Sequence, residues 1–274
     1  ILQLILQRIL LPQLSASGMN NTRVHTIIMK LAVLVLCVHT AGAVSLDSIL
    51  EKHRAAVGGR ELCMRATQYI AKGTYISSDG SWKRTSITTV KGKKQRAEMI
   101  IQPGMSMIRG YDGKTAWSIM PWSGSLDPQP MNAKDTKSMT SAGDLVCSDL
   151  IIGTDSVRTL SYKTTEEFDG SDCYVIISKR KDGLEYEYFL DVDSYLVVKI
   201  TTRYRFQGED NQVNSTFSNY KRFGGILLPT ALDNEGGGTM SVSEISINPS
   251  IDDSIFVMPA SEKNTEKSSE KKRK

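Results

Sequence analysis

The chain has 274 residues, of which 40% are hydrophobic and 23% are charged, and its formal net charge is +4. This composition is that of a globular protein, and it excludes a collagen-like or a wholly disordered chain. The excess positive charge lies in residues 1–44 and 262–274, so the body between them is slightly acidic. A nucleic-acid-binding domain carries its basic residues on the folded body, so we expect no nucleic-acid partner.

The chain starts with two segments that we do not assign to the folded domain. Residues 1–28 begin with Ile1 and are broken by polar residues, which suggests a non-native upstream or leader extension. Residues 29–44 combine a basic start at Lys30, the apolar run Leu31–Val38 and a small-residue site at Ala41–Ala43. This pattern predicts a cleavable signal peptide, because the apolar run is much shorter than the roughly 20 residues of a membrane span.

The first element of the predicted domain, residues 45–259, is an amphipathic helix. Ser48 and Glu51 have capping-box spacing, and apolar positions from Leu46 to Val57 recur on one helical face. His53 lies on this face. Gly58 and Gly59 then predict the end of the helix.

After this helix the hydrophobic period changes from 3.6 to 2, which predicts strands. Glycine-containing turns at short intervals favour antiparallel hairpins over a parallel α/β fold. The predicted strands cover 68–77, 82–91, 95–102, 106–111, 115–120, 158–163, 173–179, 184–191, 196–205, 214–221 and 240–248.

Two regions depart from the strand pattern. Residues 122–133 are rich in Pro, Gly and Ser, and they lead into residues 135–152, which predict one or two helices packed on the sheet. Residues 260–274 alternate Glu, Lys and Ser, and we expect this charged tail to be disordered.

Motifs for catalysis and metal binding are scarce. His53 is the one histidine beyond the leader, and the chain has no zinc-binding or nucleophile-elbow motif. Asp191 and Asp193 bound a short turn, which predicts turn formation in preference to calcium binding or a catalytic carboxylate pair. The cysteines beyond the leader are predicted to be small buried hydrophobic residues, although one disulfide among them is left open: Cys63, Cys147 and Cys173.

Methionines cluster along the chain near Trp117 and Trp122. Methionine is flexible and occurs on surfaces that accept varied apolar partners, so a groove for an acyl chain is one interpretation. An ordinary hydrophobic core is the other, and composition alone favours the core. The methionines are Met99, Met105, Met107, Met120, Met131 and Met139.

An ordered series of motifs resembles the outer-membrane lipoprotein carriers, the LolA-like family, over residues 46–259. The segment Tyr111-Asp-Gly-Lys-Thr-Ala-Trp117 followed by Met120-Pro-Trp122 carries the resemblance best. The helix ending in Gly-Gly, the strand Lys94–Met99 and the closing segment Ile255–Pro259 occur in the order typical of that family. The resemblance implies an unclosed antiparallel β-barrel of about 11 strands, mostly β, with helices covering its concave face.

The resemblance also implies a function, which we state as an expectation. It implies a monomeric carrier or chaperone in the Gram-negative periplasm that binds lipoprotein acyl chains or another lipid in an apolar cavity. Such a carrier uses no cofactor or metal, is not an enzyme, and exchanges its cargo with an inner-membrane release complex and an outer-membrane receptor. The expected cavity residues are Met99, Met107, Trp117, Met120, Trp122, Tyr186 and Tyr188.

The family ties a helical lid to an early strand through an arginine, and Lys94 and Arg96 are the candidates here. Two alternatives to the carrier stay open from the sequence. One is an envelope-stress-sensing binding module of the same fold. The other is a carboxylate-dependent hydrolase, which would place two carboxylates with perturbed pKa values inside the cavity.

Overall fold

The computed structural model describes residues 44–140, 146 and 148–261. The chain divides into two units after Ser45, and every helix and strand of the described residues lies in the second. Three of the sequence predictions concern residues outside this described part, except for residue 44 of the leader and residues 260 and 261 of the tail. They concern the leader in residues 1–43, the cysteine at position 147 and the charged tail in residues 262–274.

The helices of the described residues are short, and α1 is the longest. It begins at Leu46, two residues before the predicted cap, because the Leu46 side chain packs against the domain core. It ends at Gly58 and Gly59, whose φ angles are 118° and 100°, as the sequence predicts. The helices are α1 (Leu46–Val57), α2 (Arg60–Arg65), α3 (Ala133–Thr140) and α4 (Asp149–Ile152), with 3₁₀ helices at Pro121–Ser123 and Asp253–Phe256.

All the predicted strands are present, and they are joined by short additional ones. In chain order they are β1 (Gln68–Ile76), β2 (Lys83–Lys91), β3 (Lys94–Gln102), β4 (Met105–Tyr111), β5 (Ala116–Ile119), β6 (Gln129–Pro130), β7 (Arg158–Phe168) and β8 (Ser171–Arg180). They continue with β9 (Glu185–Asp191), β10 (Val197–Phe206), β11 (Glu209–Ser218), β12 (Lys221–Phe223), β13 (Ile226–Leu228), β14 (Ala231–Asn234) and β15 (Gly238–Ile247).

Thirteen of these strands form one antiparallel sheet that does not close into a barrel. Its order is β6-β5-β4-β3-β2-β1-β15-β14-β11-β10-β9-β8-β7, and β12 pairs with β13 apart from it. The pairing of β1 with β15 joins the two halves of the domain in the middle of the sheet. The predicted mostly-β fold, an unclosed antiparallel barrel with a few helices, is confirmed.

One half of the sheet is densely packed under helices. Tyr186, Tyr188 and Leu190 lie on the same side of β9 and pack against Ile49 and Leu50 of α1. We call this side of the sheet the helix face and the opposite side the outer face. Burying each of these large side chains contributes about 1.5–3 kcal/mol, so this half of the helix face is the main source of hydrophobic stabilisation.

A second cluster fills the helix face near the middle of the sheet. Val57 and Cys63 from α1 and α2 pack on Ile151 of α4 and on Ile226 and Leu228 of β13. Tyr69 of β1 and Ile247 of β15 pack against the same cluster. The helix face is therefore packed where α1, α2 and α4 lie on it.

Helix α4 is fixed at both of its ends. At its N-terminus the Asp149 carboxylate accepts a hydrogen bond from Arg158 and another, of 2.6 Å, from Ser178 Oγ. At its C-terminus Arg54 Nε donates to Leu150 O at 3.1 Å, and Arg60 Nε donates to Ile151 O at 3.1 Å. The two arginines satisfy carbonyl groups that a four-residue helix cannot satisfy internally, and Asp149 attaches the start of the helix to β7 and β8.

The outer face of the other half is covered by the last described segment. Trp117 of β5 is fully buried there, and its indole Nε1 donates to Phe256 O at 2.7 Å. The ring lies across Gly110, its partner on β4, and a Cβ at that position would overlap the ring atoms. Gly110 therefore provides the space that the indole occupies.

We expect Gly110→Ala to destabilise the fold by about 1–3 kcal/mol, the usual cost of overpacking a rigid site. Urea unfolding of the variant and of the original protein measures the difference. The double variant Gly110→Ala with Trp117→Leu should recover part of the loss, because the leucine side chain frees space above the new methyl group. Equal stability of Gly110→Ala and the original protein would contradict this packing.

Glu187 is buried on the outer face between two bases. Its carboxylate accepts hydrogen bonds of 2.7 Å from Lys163 Nζ and 2.7 Å from Arg203 Nη1. Burial by itself raises the pKa of this carboxyl, but the hydrogen bonds from the two bases outweigh burial and lower the pKa below its ordinary value of 4.5.

A lowered pKa in the folded state makes stability depend on pH. The stabilisation from Glu187 is fully present above pH 4.5 and is lost as the pH falls through the lower pKa of the folded state. We expect the free energy of unfolding to decrease as the pH falls below that value, and to decrease less steeply in Glu187→Gln. Urea titrations of both proteins at a series of acidic pH values test this, and identical slopes would contradict it.

Candidate functional site

The helix face of strands β1 to β4 is less completely covered than that of β8 and β9. In an antiparallel sheet, directly paired residues point to the same face, so the pairing Tyr69–Val90–Gln95–Tyr111 extends the helix face from β1 to β4. Alternation along each strand places further residues on this face. The half-buried Arg84 of β2 and the exposed Arg109 of β4 lie on the same face. We call the surface of its uncharged residues the open stretch, which is formed by Tyr75, Ser86, Thr88, Ala97, Met99 and Met107.

Met99 and Met107 lie at the centre of the open stretch. They are direct partners on β3 and β4, and Ser86 of β2 pairs with Met99 on the other side. Every residue of the open stretch is half-buried, whereas Ile176, Tyr186 and Leu190 on the same face of β8 and β9 are fully or almost fully buried. Two flexible apolar side chains therefore lie side by side on a partly uncovered part of the sheet.

Helix α3 reaches from the open stretch toward the packed half. Gln95 Nε2 of β3 donates to Met139 O at 3.3 Å, and Lys137 Nζ donates to Asp182 O, in the turn between β8 and β9, at 3.4 Å. Asn132 accepts a hydrogen bond from Asp135 N at 2.8 Å and so caps the start of the helix. These contacts place α3 over the helix face next to β3.

Gln95 lies between the two lid-tethering candidates and was not among the residues predicted from the sequence. Lys94 Nζ lies 2.7 Å from Asp253 Oδ2 and Arg96 Nη2 lies 2.8 Å from Glu98 Oε2. Strand alternation puts Lys94 and Arg96 on the outer face and Gln95 on the helix face. In the structure Lys94 therefore binds the last 3₁₀ helix, and a role for either base in holding a helical lid stays a prediction.

The remaining predicted cavity residues lie in three different places. Trp117 is on the outer face under Phe256, as described above. Met120 is half-buried at the end of β5, where its carbonyl accepts a hydrogen bond from Ser123 Oγ at 2.7 Å. Trp122 follows in the 3₁₀ helix and is mostly exposed to solvent.

Tyr186 and Tyr188 belong to the packed half of the helix face, with ring centroids 5.9 Å apart. Burial raises the pKa of Tyr186 to about 12 and raises the pKa of Tyr188 well above its ordinary value. Both hydroxyls therefore stay protonated at physiological pH. The structure brings Met99 and Met107 together and separates them from these tyrosines.

The residues considered for catalysis have structural partners. His53 Nδ1 lies 2.8 Å from Tyr195 O, and burial lowers the pKa of the ring. Asp191 Oδ1 accepts hydrogen bonds from Ser194 N and Oγ at 2.8 and 2.6 Å, as expected of a turn residue. Cys63 and Cys173 are free and buried, and burial raises the pKa of both thiols.

Two buried carboxylates occur in the described part of the chain, and they lie on opposite faces of the sheet. Asp149 contacts Ser178 on the helix face, whereas Glu187 is on the outer face between Lys163 and Arg203. Each carboxylate is neutralised by a base. Because Asp149 and Glu187 are on opposite faces, they do not have the geometry of two cooperating catalytic acids. Among the residues that the structure describes, no group of three or more His, Cys, Asp or Glu could hold a metal ion.

A shallow trough of about 520 Å³ lies on the outer face, on the other side of the sheet from Met99 and Met107. Its apolar lining comes from strands β3, β4 and β5 and from the loop after β5. Glu98, which is paired with Arg96, lines one side. The lining residues are Glu98, Ile100, Gln102, Pro103, Gly104, Ser106, Ile108, Ile119 and Leu126.

No helix in the described part of the chain has the length and hydrophobicity needed to cross a membrane. Comparison of the sequence finds no matching family model and no matching curated protein.

Several solved structures are similar to this chain. A domain from Vibrio parahaemolyticus described as an outer membrane lipoprotein-sorting protein has 16% identity and a TM-score of 0.47, covering 81% of this chain and 97% of its own. A LolA superfamily protein from Nitrosomonas europaea has 17% identity and a TM-score of 0.49, covering 78% and 98%. A DUF1329 family protein from Desulfovibrio piger has 14% identity and a TM-score of 0.45, covering 76% and 98%.

Proposed function

We propose that this protein is a periplasmic carrier or chaperone that binds an acyl chain of a lipoprotein, or of another lipid, on the open stretch of the helix face. The observation that carries the proposal is the pair Met99 and Met107. These partnered side chains are half-buried on a face whose other half is packed with apolar residues. Methionine adapts its shape to varied apolar partners, which suits a ligand that enters and leaves.

Helix α3 supports the proposal because it lies beside this surface and is joined to it through hydrogen bonds that solvent can replace. Gln95 contacts the backbone of α3 next to Met139, at the border of the open stretch. A small displacement of α3 would enlarge the uncovered area, and each acyl CH₂ buried there would contribute about 0.8 kcal/mol. Packing against α1 and α4 keeps the other half of the sheet fixed during such a movement.

The predicted signal peptide and the resemblance of the sequence to lipoprotein carriers support the periplasmic location and the class of ligand. In this proposal the monomer receives its cargo from an inner-membrane release complex and passes it to an outer-membrane receptor. It needs no cofactor, and its action is binding and release without covalent chemistry.

Mass spectrometry of lipids extracted from protein purified from a bacterial periplasm tests the proposal, together with titration of a fluorescent C16 acyl probe. We expect co-purified acylated species and saturable probe binding with one site per chain. The proposal would be contradicted if the folded protein carried no extractable lipid and did not bind the probe.

A further inference from the structure

Exposed apolar side chains from two distant segments lie near each other at one border of the outer face. Trp122, Leu126 and Val257, with 67%, 54% and 52% of their surface exposed, are the three most exposed large hydrophobic residues that the structure describes. Met258 follows Val257 and is also exposed. We call these four residues the edge patch. Monomeric proteins seldom expose clustered apolar residues without a binding role.

Two hydrogen bonds bring the halves of the edge patch together. Trp117 Nε1 donates to Phe256 O at 2.7 Å, and Ser261 Oγ donates to Asp127 Oδ1 at 2.6 Å. Residues 257–260 therefore run between anchors on β5 and on the residue that follows Leu126. Since a residue spans at most about 3.6 Å, Val257 and Met258 cannot lie far from the loop that carries Trp122 and Leu126.

The backbone of the loop after β5 has a defined conformation in which Trp122 and Leu126 are exposed. Pro121–Ser123 forms a 3₁₀ helix that ends at Gly124 in the left-handed conformation, with φ of 81°. Ser123 Oγ donates to Met120 O at 2.7 Å, and Asp127 N donates to Ser125 Oγ at 3.0 Å. The exposure of Trp122 and Leu126 thus belongs to a defined loop conformation, which lowers the entropy cost of binding through them.

Charge distribution indicates what the edge patch contacts. Residues 115–126 and 254–261 contain no charged side chain, and the neighbouring Asp127 is hydrogen-bonded to Ser261. Leu126 also lines the outer trough, so the apolar surface continues onto Ile108 and Ile119. Protein interfaces usually surround their apolar centre with polar and charged groups that fix the partner's orientation, and both segments lack charged groups.

We infer that the edge patch docks the protein on the surface of a phospholipid bilayer, with Trp122 and Leu126 inserted between the headgroups and the first part of the acyl chains. Tryptophan favours this region because its ring is apolar and its N–H can still reach water or headgroups. The inference goes beyond acyl-chain binding on the helix face and does not depend on it.

Tryptophan emission of the full chain tests the inference. In a Trp82→Phe background, emission comes from the buried Trp117 and from the exposed Trp122. We expect a blue shift when vesicles of phosphatidylcholine with a minor fraction of phosphatidylglycerol are added, and quenching when the acyl chains are brominated. Trp122→Ser or Leu126→Ser should weaken vesicle binding roughly tenfold or more in co-sedimentation.

Met64→Ser is the matched control, because Met64 is an exposed apolar residue on α2, outside the edge patch, and its loss should leave vesicle binding unchanged. The inference is overturned if adding vesicles leaves the Trp122 emission unchanged. This applies also if the chain binds the vesicles through its apolar leader. Equal weakening in Met64→Ser overturns it as well. A third result would also overturn it: sedimentation velocity shows a dimer, Trp122→Ser dissociates that dimer, and the protein does not bind vesicles. The edge patch would then join two copies of the chain.

Discussion

Replacing Asp149 by alanine is expected to lower the free energy of unfolding by about 3–5 kcal/mol, the cost of leaving a buried charge without its partner. Asp149 accepts hydrogen bonds from Arg158 and Ser178, and Arg180 Nη1 lies 3.8 Å from the same carboxylate. The Arg158 side chain is only 11% exposed, so water cannot replace the lost carboxylate. The N-terminus of α4 would lose its attachment to β7 and β8.

Asp155→Asn is the matched control for this variant. Asp155 lies 3.4 Å from the same Arg158 side chain, but it is itself partly exposed, so its loss should cost less than about 1 kcal/mol. Chemical denaturation of both variants measures the difference. If Asp149→Ala were no less stable than Asp155→Asn, the buried ion pair would not be what fixes α4.

Placing a carboxylate on the open stretch is expected to give the largest change in ligand binding. In Met99→Asp an acyl chain would have to displace water from the charged group, at a cost of several kcal/mol. We expect the affinity for a fluorescent C16 acyl probe to fall at least tenfold, which corresponds to about 1.4 kcal/mol. The half-exposed position on β3 should let the variant fold, which circular dichroism can verify.

Two variants test whether a loss of probe affinity depends on where the charge is placed or only on adding a charge. Thr85→Asp adds the same charge on the outer face of β2, at an exposed position, and should leave probe affinity within threefold of the original. Met99→Leu keeps an apolar side chain of similar volume and should do the same. Equal losses in Met99→Asp and Thr85→Asp would mean that the probe responds to net charge and not to the open stretch.

Strand periodicity predicted the sheet because the alternation of apolar and polar residues in the sequence matches the two faces of each strand in the structure. The Glu185–Leu190 segment shows this well: its tyrosines point into the core and Glu187 points outward. The first helix was predicted with its buried face for the same reason, and only its start differed. The short strands β6, β12, β13 and β14 were missed, since two to four residues carry too little periodic signal.

The arrangement of the candidate site depended on information that the sequence does not contain. The position of Trp117 on the outer face follows from its register opposite Gly110 and from a segment about 140 positions later in the chain. The role of Gln95 could have been found by applying strand alternation to Lys94 and Arg96. The partial burial of Met99 and Met107 depends on where α3 ends, which periodicity does not specify.

Nuclear magnetic resonance of methionine methyl groups can locate a bound acyl chain on the helix face. The protein is labelled at its methionine methyl groups and titrated with a C16 fatty acid, and single Met→Leu variants assign the signals. If the acyl chain binds on the helix face, the signals of Met99 and Met107 shift first and saturate together, while that of Met64 on α2 does not move. Shifts confined to Met258 at the edge patch, or no shift at Met99 and Met107 at saturating ligand, would contradict acyl-chain binding on the helix face.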